Sequence, residues 1–354
     1  MRDTPAQLRG LLAAVPGDTQ GFAHLCESVD DWDGLLKLAR DHGVAAVVLA
    51  EVAASGVTLP GDVAHRAELA QTRDSMFLGV LSDTLVDVLR TLAREGIVVV
   101  PLKGPLLAER LYAAPDHRPS TDLDVLVLPE DLDRAVSSIR QLGYTIEGGA
   151  SGRYFRRHHH HVHCLHPAGP IVEIHYHAYR GFGTTLRSQP LIGRAIPYRT
   201  ARWNVAILAP EDELLYLAVH GASHRFERLG WLYDIKLLVR AHPNLDWALV
   251  AARADALGLG AVLSLTCGLL SSVLGVRRSW DGAVAPLGAL RARAISNLLA
   301  RRKSAAWDAG ALFGFNTILC HTPASAAKNA ARVLALKFLN EMPRRIVGAL
   351  LEAK

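Results

Sequence analysis

The sequence has few cysteines, and their spacing forms no motif. The 354 residues contain only Cys26, Cys164, Cys267 and Cys320, and no two of them make a CxxC pair. This spacing excludes a zinc ribbon and a dithiol redox motif, and it indicates the reduced thiols of a cytoplasmic protein. The N-terminus has no apolar stretch behind its charged residues, so we predict no signal peptide.

Aromatic residues are also scarce, at 6% of the chain. Because they are rarely interleaved with basic residues, a nucleic acid is not favoured as a partner. The hydrophobic share of 50% and the charged share of 21% exclude intrinsic disorder, collagen and a small disulfide scaffold. We therefore expect a globular protein.

Positive charge is concentrated in the last part of the sequence. Residues 277–354 contain 13 Lys/Arg and 4 Asp/Glu, a net charge of +9, whereas residues 1–276 contain 26 and 30, a net charge of −4. The amphipathic segment that begins at Ser325 could lie on an anionic surface, or its apolar stripe could simply pack into the core.

One uncharged stretch is long enough to cross a bilayer. Residues 256–276 contain no charged side chain over 21 positions. The stretch also contains serines, a threonine and several glycines, and a helix buried in a protein core reads the same way. We predict a buried helix and no transmembrane span.

The hydrophobic pattern divides the chain into three regions. Apolar residues at helical spacing predict a helical region over 1–95 and a second one, with a basic tail, over 201–354. Residues 96–200 contain short β-branched runs alternating with helical segments, which predicts a sheet core of about 100 residues. The predicted strands are 97–101, 123–128, 144–147, 153–166 and 170–176. The expected class is α+β with an α/β-like core: a small mixed sheet flanked by helical segments at both ends.

The most informative motif is Asp122-Leu123-Asp124 at the start of a predicted strand. Residues i and i+2 of a strand share a face, so the two aspartates point the same way. Neighbouring carboxylates repel, and the pair is costly without a cation between them. Mg²⁺ prefers such oxygen ligands. A DxD at the start of a strand is common, however, and by itself is a weak indication of a metal site.

A third carboxylate interrupts the apolar strand VEIHYH. Alternation puts Glu173, His175 and His177 on one face of this strand. If it lies beside the strand of Asp122 and Asp124, three carboxylates converge in the manner of a two-metal site.

These residues resemble the bacterial nucleotidyltransferase family, poorly characterised, of the DNA-polymerase-β-like superfamily. The likeness covers roughly residues 90–240. Its motifs are Leu102-Lys103-Gly104, Tyr112, Arg118, the run from Asp122 to Val127, Gly143-Tyr144, Glu173-Ile174-His175 and the segment His220–Leu238.

The resemblance implies an enzyme that transfers a nucleoside monophosphate from an NTP, such as ATP, to a hydroxyl or phosphate acceptor and releases pyrophosphate. Asp122, Asp124 and Glu173 would hold two Mg²⁺ ions, or Mn²⁺, and Glu173 would help to deprotonate the acceptor. The triphosphate would be bound by Lys103, Gly104, Arg118 and His175. The acceptor is unknown, and an anionic peptide or a sugar is the expected kind.

Two alternatives stay open for the function. The same site could transfer a γ-phosphate, or the chain could be a non-catalytic nucleotide-binding or regulatory protein that kept the fold. For the site residues, Gly104 could serve only a turn and Arg118 could lie on the surface.

Two histidine-containing segments also have two interpretations each. In the run 158–166, alternation puts His159, His161 and His163 on one face, which could bind Zn²⁺ or Cu²⁺, line the acceptor side of the cleft or contact phosphate. In the later segment, the possible cleft-lining residues are His220, His224, Arg228 and Asp234, and they could equally be polar ties between helices. The segment lacks the glutamate of HExxH, so a metalloprotease is not expected.

Overall fold

The structure is a computed structural model that describes residues 4–146, 159–300 and 309–341. Five helices come first: α1 (Thr4–Ala14), α2 (Thr19–Cys26), α3 (Trp32–Asp41), α4 (Ala45–Ala54) and α5 (Gly61–Arg94). The middle of the chain alternates strands with short helices: β1 (Val100–Pro101), α6 (Pro105–Leu111), β2 (Asp122–Leu126), α7 (Leu132–Arg140), β3 (Thr145–Ile146), β4 (His161–Leu165), β5 (Ile171–His175), β6 (His177–Gly181), β7 (Thr184–Arg187), α8 (Ser188–Gly193), β8 (Ile196–Arg199) and β9 (Asn204–Ile207). Helices follow again: α9 (Pro210–Ser223), α10 (Leu229–Ala241), α11 (Trp247–Ala256), α12 (Gly260–Leu274), α13 (Ala289–Ala300), α14 (Ala309–Ile318) and α15 (Pro323–Glu341). The predicted α+β class is confirmed.

The central sheet is mixed and has five strands in the order β1-β2-β5-β4-β3. Strand β2 pairs with β5 in parallel, and the other pairs in this sheet are antiparallel. The predicted neighbourhood of the DxD strand and the Glu173 strand is therefore confirmed. Residues 147–158, including His158 and the first six residues of the predicted strand 153–166, lie outside the described residues.

Helix α3 shows how the sequence sets the local structure. The Asp31 carboxylate accepts a hydrogen bond from the Gly34 N–H at 2.8 Å and caps the helix. The chain then leaves the helix at His42 and turns back against α10. The carbonyl of His42 accepts from the Gly230 N–H at 2.9 Å, and a Cβ at Gly230 would lie only 3.1 Å from that oxygen. Glycine at 230 permits this close approach.

Two hydrophobic clusters form the core. One joins the N-terminal helices α1–α4 to the later helices α9–α12, and the other lies between the central sheet, α5 and α7. The Lys236 ammonium, on α10, crosses the first cluster and donates to the carbonyls of Leu12 and Ala13 at 2.7 and 3.0 Å. The helical ends of the chain thus share one interior beside the sheet.

The uncharged stretch 256–276 forms α12, whose apolar residues lie in the helical core. The predicted buried helix is confirmed. Within the described residues, no helix is long and apolar enough to cross a membrane.

Two hairpins were not predicted. Strands β6 and β7 pair through a turn in which Phe182 and Gly183 both have positive φ, 51° and 76°, and β8 pairs with β9 across residue 200.

The expected domain boundaries at residues 95 and 200 stay predictions. The predicted strand 97–101 is a strand only over its last two residues. Helix α15 covers part of the basic segment, and residues 342–354 lie outside the described part of the chain.

Candidate active site

The DxD carboxylates and Lys103 form a compact charged group at the start of β2. The Lys103 ammonium lies 3.1 Å from Asp122 Oδ2 and 2.8 Å from Asp124 Oδ2. The Asp124 side chain is 2% exposed, that of Lys103 12% and that of Asp122 28%. Burial by itself would lower the pKa of Lys103, but the two carboxylates outweigh it and raise that pKa. The cation that the aspartate pair requires is, in this structure, the neighbouring lysine.

The third carboxylate enters through the parallel register of the sheet. Asp124 of β2 lies directly opposite Glu173 of β5. The ring of His175 joins them: Nε2 is 3.0 Å from Asp124 Oδ1 and 3.3 Å from Glu173 Oε2. Burial would lower the pKa of His175, yet its two acidic partners raise it to about 9. A protonated His175 therefore holds the two carboxylates together.

The same contacts keep the acids ionised. Burial would raise the pKa of Asp124, but Lys103 and His175 lower it to about 2. Burial would also raise the pKa of Glu173, and hydrogen bonds from His163 and His175 lower it well below its usual range instead. Both side chains are carboxylates near neutral pH.

Two members of the histidine run reach this group from β4. His161 lies opposite His175 and His163 opposite Glu173. The Nε2 of His163 is 3.2 Å from Glu173 Oε1, and that of His161 is 2.9 Å from His163 Nε2. The predicted common face of His161 and His163 is confirmed. Alternation predicted that His177 shares the face of Glu173 and His175, and this prediction is wrong. Strand β5 ends at His175, and His177 begins β6 opposite Arg187.

Gly104 links Lys103 to helix α6. Its backbone has φ 82° and ψ −147°, a conformation that is essentially restricted to glycine. It precedes Pro105, the first residue of the helix. The glycine is therefore required by backbone geometry at the point where Lys103 leaves the sheet.

Arg118 lies inside the protein, so its interpretation as a surface residue is wrong. Its guanidinium donates from Nε and Nη2 to the two oxygens of Asp234, at 2.8 and 2.9 Å, and from Nη1 to Ser120 Oγ. The Tyr112 hydroxyl donates to the same aspartate at 2.7 Å. This buried network ties helix α10 to the segment that leads into β2. Asp234 is thus a polar tie between elements rather than a residue of the cleft wall.

Helix α9 brings a set of rings toward the charged group. The rings of His220 and His224 lie 4.9 Å apart, and Trp231 packs against both. Burial comes first among the causes that lower the pKa of His220, and the charge of Lys103 comes next. His220 therefore lies within electrostatic reach of Lys103. Arg228 is exposed and sits over the Trp231 ring at 5.8 Å.

The chain matches a known protein family over most of its length. Residues 28–275 match the family described as uncharacterised nucleotidyltransferase. The chain belongs to this family. The predicted resemblance is confirmed, and with it the class of enzyme, a nucleotidyltransferase.

Among solved structures, this chain is similar to the solution structure of the antibiotic-resistance factor ANT(2'')-Ia. The two chains are 11% identical, with a TM-score of 0.35 over 52% of this chain and 91% of that one. No curated protein matches the chain at a significant level.

Sequence reasoning missed two partners in the site of this nucleotidyltransferase. The contact of Lys103 with Asp122 crosses 19 residues, and that of Arg118 with Asp234 crosses 116. The Leu-Lys-Gly motif did contain a signal for the first, since a lysine at the end of β1 lies beside the start of β2. No local pattern indicated the second.

Proposed function

We propose that the chain transfers a nucleoside monophosphate from an NTP to a hydroxyl or phosphate group of an acceptor, with Mg²⁺ and with release of pyrophosphate. The observation that carries this proposal is the parallel register of β2 and β5, which sets Asp124 beside Glu173 at the Lys103 ammonium. Membership in a nucleotidyltransferase family supports the reaction class.

The three carboxylates suit a hard divalent cation. Asp122, Asp124 and Glu173 offer oxygen ligands, which Mg²⁺ prefers, and Mn²⁺ takes similar ones. Asp124 Oδ2 is buried and has the Lys103 ammonium 2.8 Å away as its counter-charge. A divalent cation would supply the same positive charge to the carboxylates if Lys103 turned to the triphosphate. Bound Mg²⁺ supplies positive charge to the transferring phosphate and to the attacking oxygen.

Each neighbouring side chain has a role in this proposal. Lys103 neutralises the aspartate pair and, on its flexible stem, turns to the triphosphate when a nucleotide binds. His175 holds Asp124 and Glu173 in register. Glu173 would help to deprotonate the acceptor hydroxyl, whose acidity a bound Mg²⁺ would raise. Arg118, committed to Asp234, fixes the entry to β2 rather than contacting phosphate.

Helix α9 supplies the opposite wall in this proposal. His224 and Arg228 are exposed, and His220 lies within electrostatic reach of Lys103. The positive charge of Arg228 suits an anionic acceptor, such as an acidic peptide or a sugar phosphate. The basic segment that begins at Ser325 would favour the same kind of acceptor.

The test follows the thermal stability of the protein with Mg²⁺ and each of the four NTPs. A ligand at 100 times its Kd adds about 2.7 kcal/mol to the free energy of unfolding. We expect one or more NTPs to give a Mg²⁺-dependent shift that is lost in D122A/D124A. The chain provides a matched control, because Asp131-Leu132-Asp133 repeats the same tripeptide at the start of α7, away from the site. D131A/D133A should keep the shift.

Labelled nucleotides then identify the reaction. Transfer of label from the α-phosphate to an acceptor supports nucleotidyl transfer, and transfer from the γ-phosphate would make the enzyme a phosphotransferase. No shift of the wild-type protein with any NTP would contradict the proposal.

A further inference from the structure

Strands β4 and β5 set imidazole nitrogens beside a carboxylate. The two strands are antiparallel, with His163 opposite Glu173 and His161 two residues along on the same face. One donor atom from each of these three side chains lies within 4.8 Å of the other two. The arrangement follows from the strand ladder, so it is held by the backbone rather than by flexible loops.

The separations match those of ligands around one small cation. Zinc–nitrogen and zinc–oxygen bonds of about 2.0–2.2 Å place the ligand atoms of a tetrahedral site about 3.3 Å apart. Here Nε2 of His161 is 2.9 Å from Nε2 of His163, which is 3.2 Å from Glu173 Oε1. Nε2 of His161 is 3.9 Å from Glu173 Oε2. The three distances bracket the expected spacing, with His163 nearest one oxygen of the Glu173 carboxylate and His161 nearest the other.

The donor set differs from that of the aspartate pair. Two imidazole nitrogens and one carboxylate suit borderline transition metals, whereas Mg²⁺ prefers oxygen. Three protein ligands also leave a coordination position open, as in zinc sites that bind water or substrate. The side chains are 20%, 38% and 18% exposed for His161, His163 and Glu173, so an ion can enter from solvent.

We propose that His161, His163 and Glu173 form a binding site for one divalent transition-metal ion of the zinc class. The site is distinct from the Asp122–Asp124 pair and shares Glu173 with it: Oε1 faces His163 and Oε2 faces His175. An ion at this site would therefore bind Glu173, the same carboxylate that the proposed reaction uses as a base. Detection of the ion does not depend on nucleotide transfer.

The experiment uses the full-length protein, freed of metal with a chelator, and titrates it with Co²⁺ as a spectroscopic probe. We expect one equivalent to bind, with the visible absorption of a low-coordinate nitrogen–oxygen site, and one equivalent of Zn²⁺ to displace it in the presence of excess Mg²⁺. In H161Q and in H163Q, the affinity should fall at least about 100-fold, because even loss of an outer partner of a ligand costs 10–100-fold. Circular dichroism and thermal melting check that both variants fold.

Two controls decide whether the ion occupies the proposed site. H65A removes an exposed histidine of α5 and should bind Co²⁺ like the wild type. D122A removes a carboxylate of the aspartate pair and should lose the effect of Mg²⁺ and NTP while keeping the Co²⁺ spectrum. A Co²⁺ affinity that is unchanged in folded H163Q, or that falls as far in D122A as in H163Q, would overturn the proposal.

Discussion

The buried ion pair of Arg118 and Asp234 gives the sharpest prediction for stability. The two side chains are 9% and 3% exposed and make two parallel hydrogen bonds. Replacing Asp234 with asparagine keeps the shape but leaves the guanidinium without its counter-charge. Removing one partner of a buried pair costs about 3–5 kcal/mol.

The magnitude converts to a melting temperature through the size of the chain. At about 2.1 cal/mol/K per residue, unfolding 354 residues has an entropy of about 0.74 kcal/mol/K. We therefore expect D234N to lower Tm by about 4–7 °C in a circular dichroism melt. The matched control is D83N, because Asp83 receives a bond of the same 2.8 Å from Arg202, with side chains that are 80% and 45% exposed. That surface pair is worth about 0–1 kcal/mol, so Tm should move by less than about 1.5 °C.

Equal shifts in D234N and D83N would refute the argument from burial. A double variant, R118M/D234L, separates structure from nucleotide binding, since two apolar side chains of similar volume can replace a buried pair at little cost. If Arg118 only anchors β2, this variant recovers most of the lost stability and keeps the Mg²⁺-dependent shift with NTP. Recovery of stability with loss of that shift would place Arg118 on the triphosphate, as the family resemblance implies.

Three further predictions concern Lys236, Gly104 and the four cysteines. K236M removes the donor to the carbonyls of Leu12 and Ala13 and should lower the free energy of unfolding by about 1–3 kcal/mol in urea denaturation; an unchanged midpoint would contradict this role. G104A should lower the free energy of unfolding by about 1–3 kcal/mol through backbone strain. Steric overlap would add nothing, because the new Cβ would lie 3.7 Å from its nearest neighbour, an ordinary contact distance. An unchanged free energy of unfolding in the same assay would contradict the strain argument. Burial raises the pKa of the Cys164 and Cys267 thiols to about 12 and that of Cys26 to about 11, and it raises that of Cys320, so the native protein at pH 8 should resist a thiol reagent until it is denatured. Rapid labelling of folded protein would contradict it.

The carboxylates of the site were within reach of the sequence because they depend on strand alternation alone. Asp122 and Asp124 alternate with buried Leu123 and Val125, and Glu173 interrupts an equally apolar strand. A small sheet has few strands, so two buried apolar strands in it are often neighbours, as β2 and β5 are here. The helices were predictable for a similar reason, since caps such as Asp31 and breaks such as His42 act locally.

The partners of the site were out of reach because they depend on how distant elements dock. Arg118 meets Asp234 only after α10 packs against the sheet, and nothing near either residue in the sequence specifies that contact. The prediction for His177 was wrong for a different reason. The alternation of apolar and polar residues runs on to His177, but strand β5 ends at His175. The hairpin β8–β9 was missed because its strands are short and half-exposed, with Arg199 and Asn204 in place of a buried face.

The bond from Lys236 to Leu12 has a consequence for synthesis of the protein. The two residues are 224 positions apart. At about 5–20 residues per second on the ribosome, the first helix waits roughly 11–45 s for the lysine that ties it down. During that interval the apolar residues Leu8, Leu11 and Leu12 have no completed core to enter. Helices α2 and α3 can pack on α1 early, but the part of its surface that meets α10 and α12 stays uncovered for most of translation.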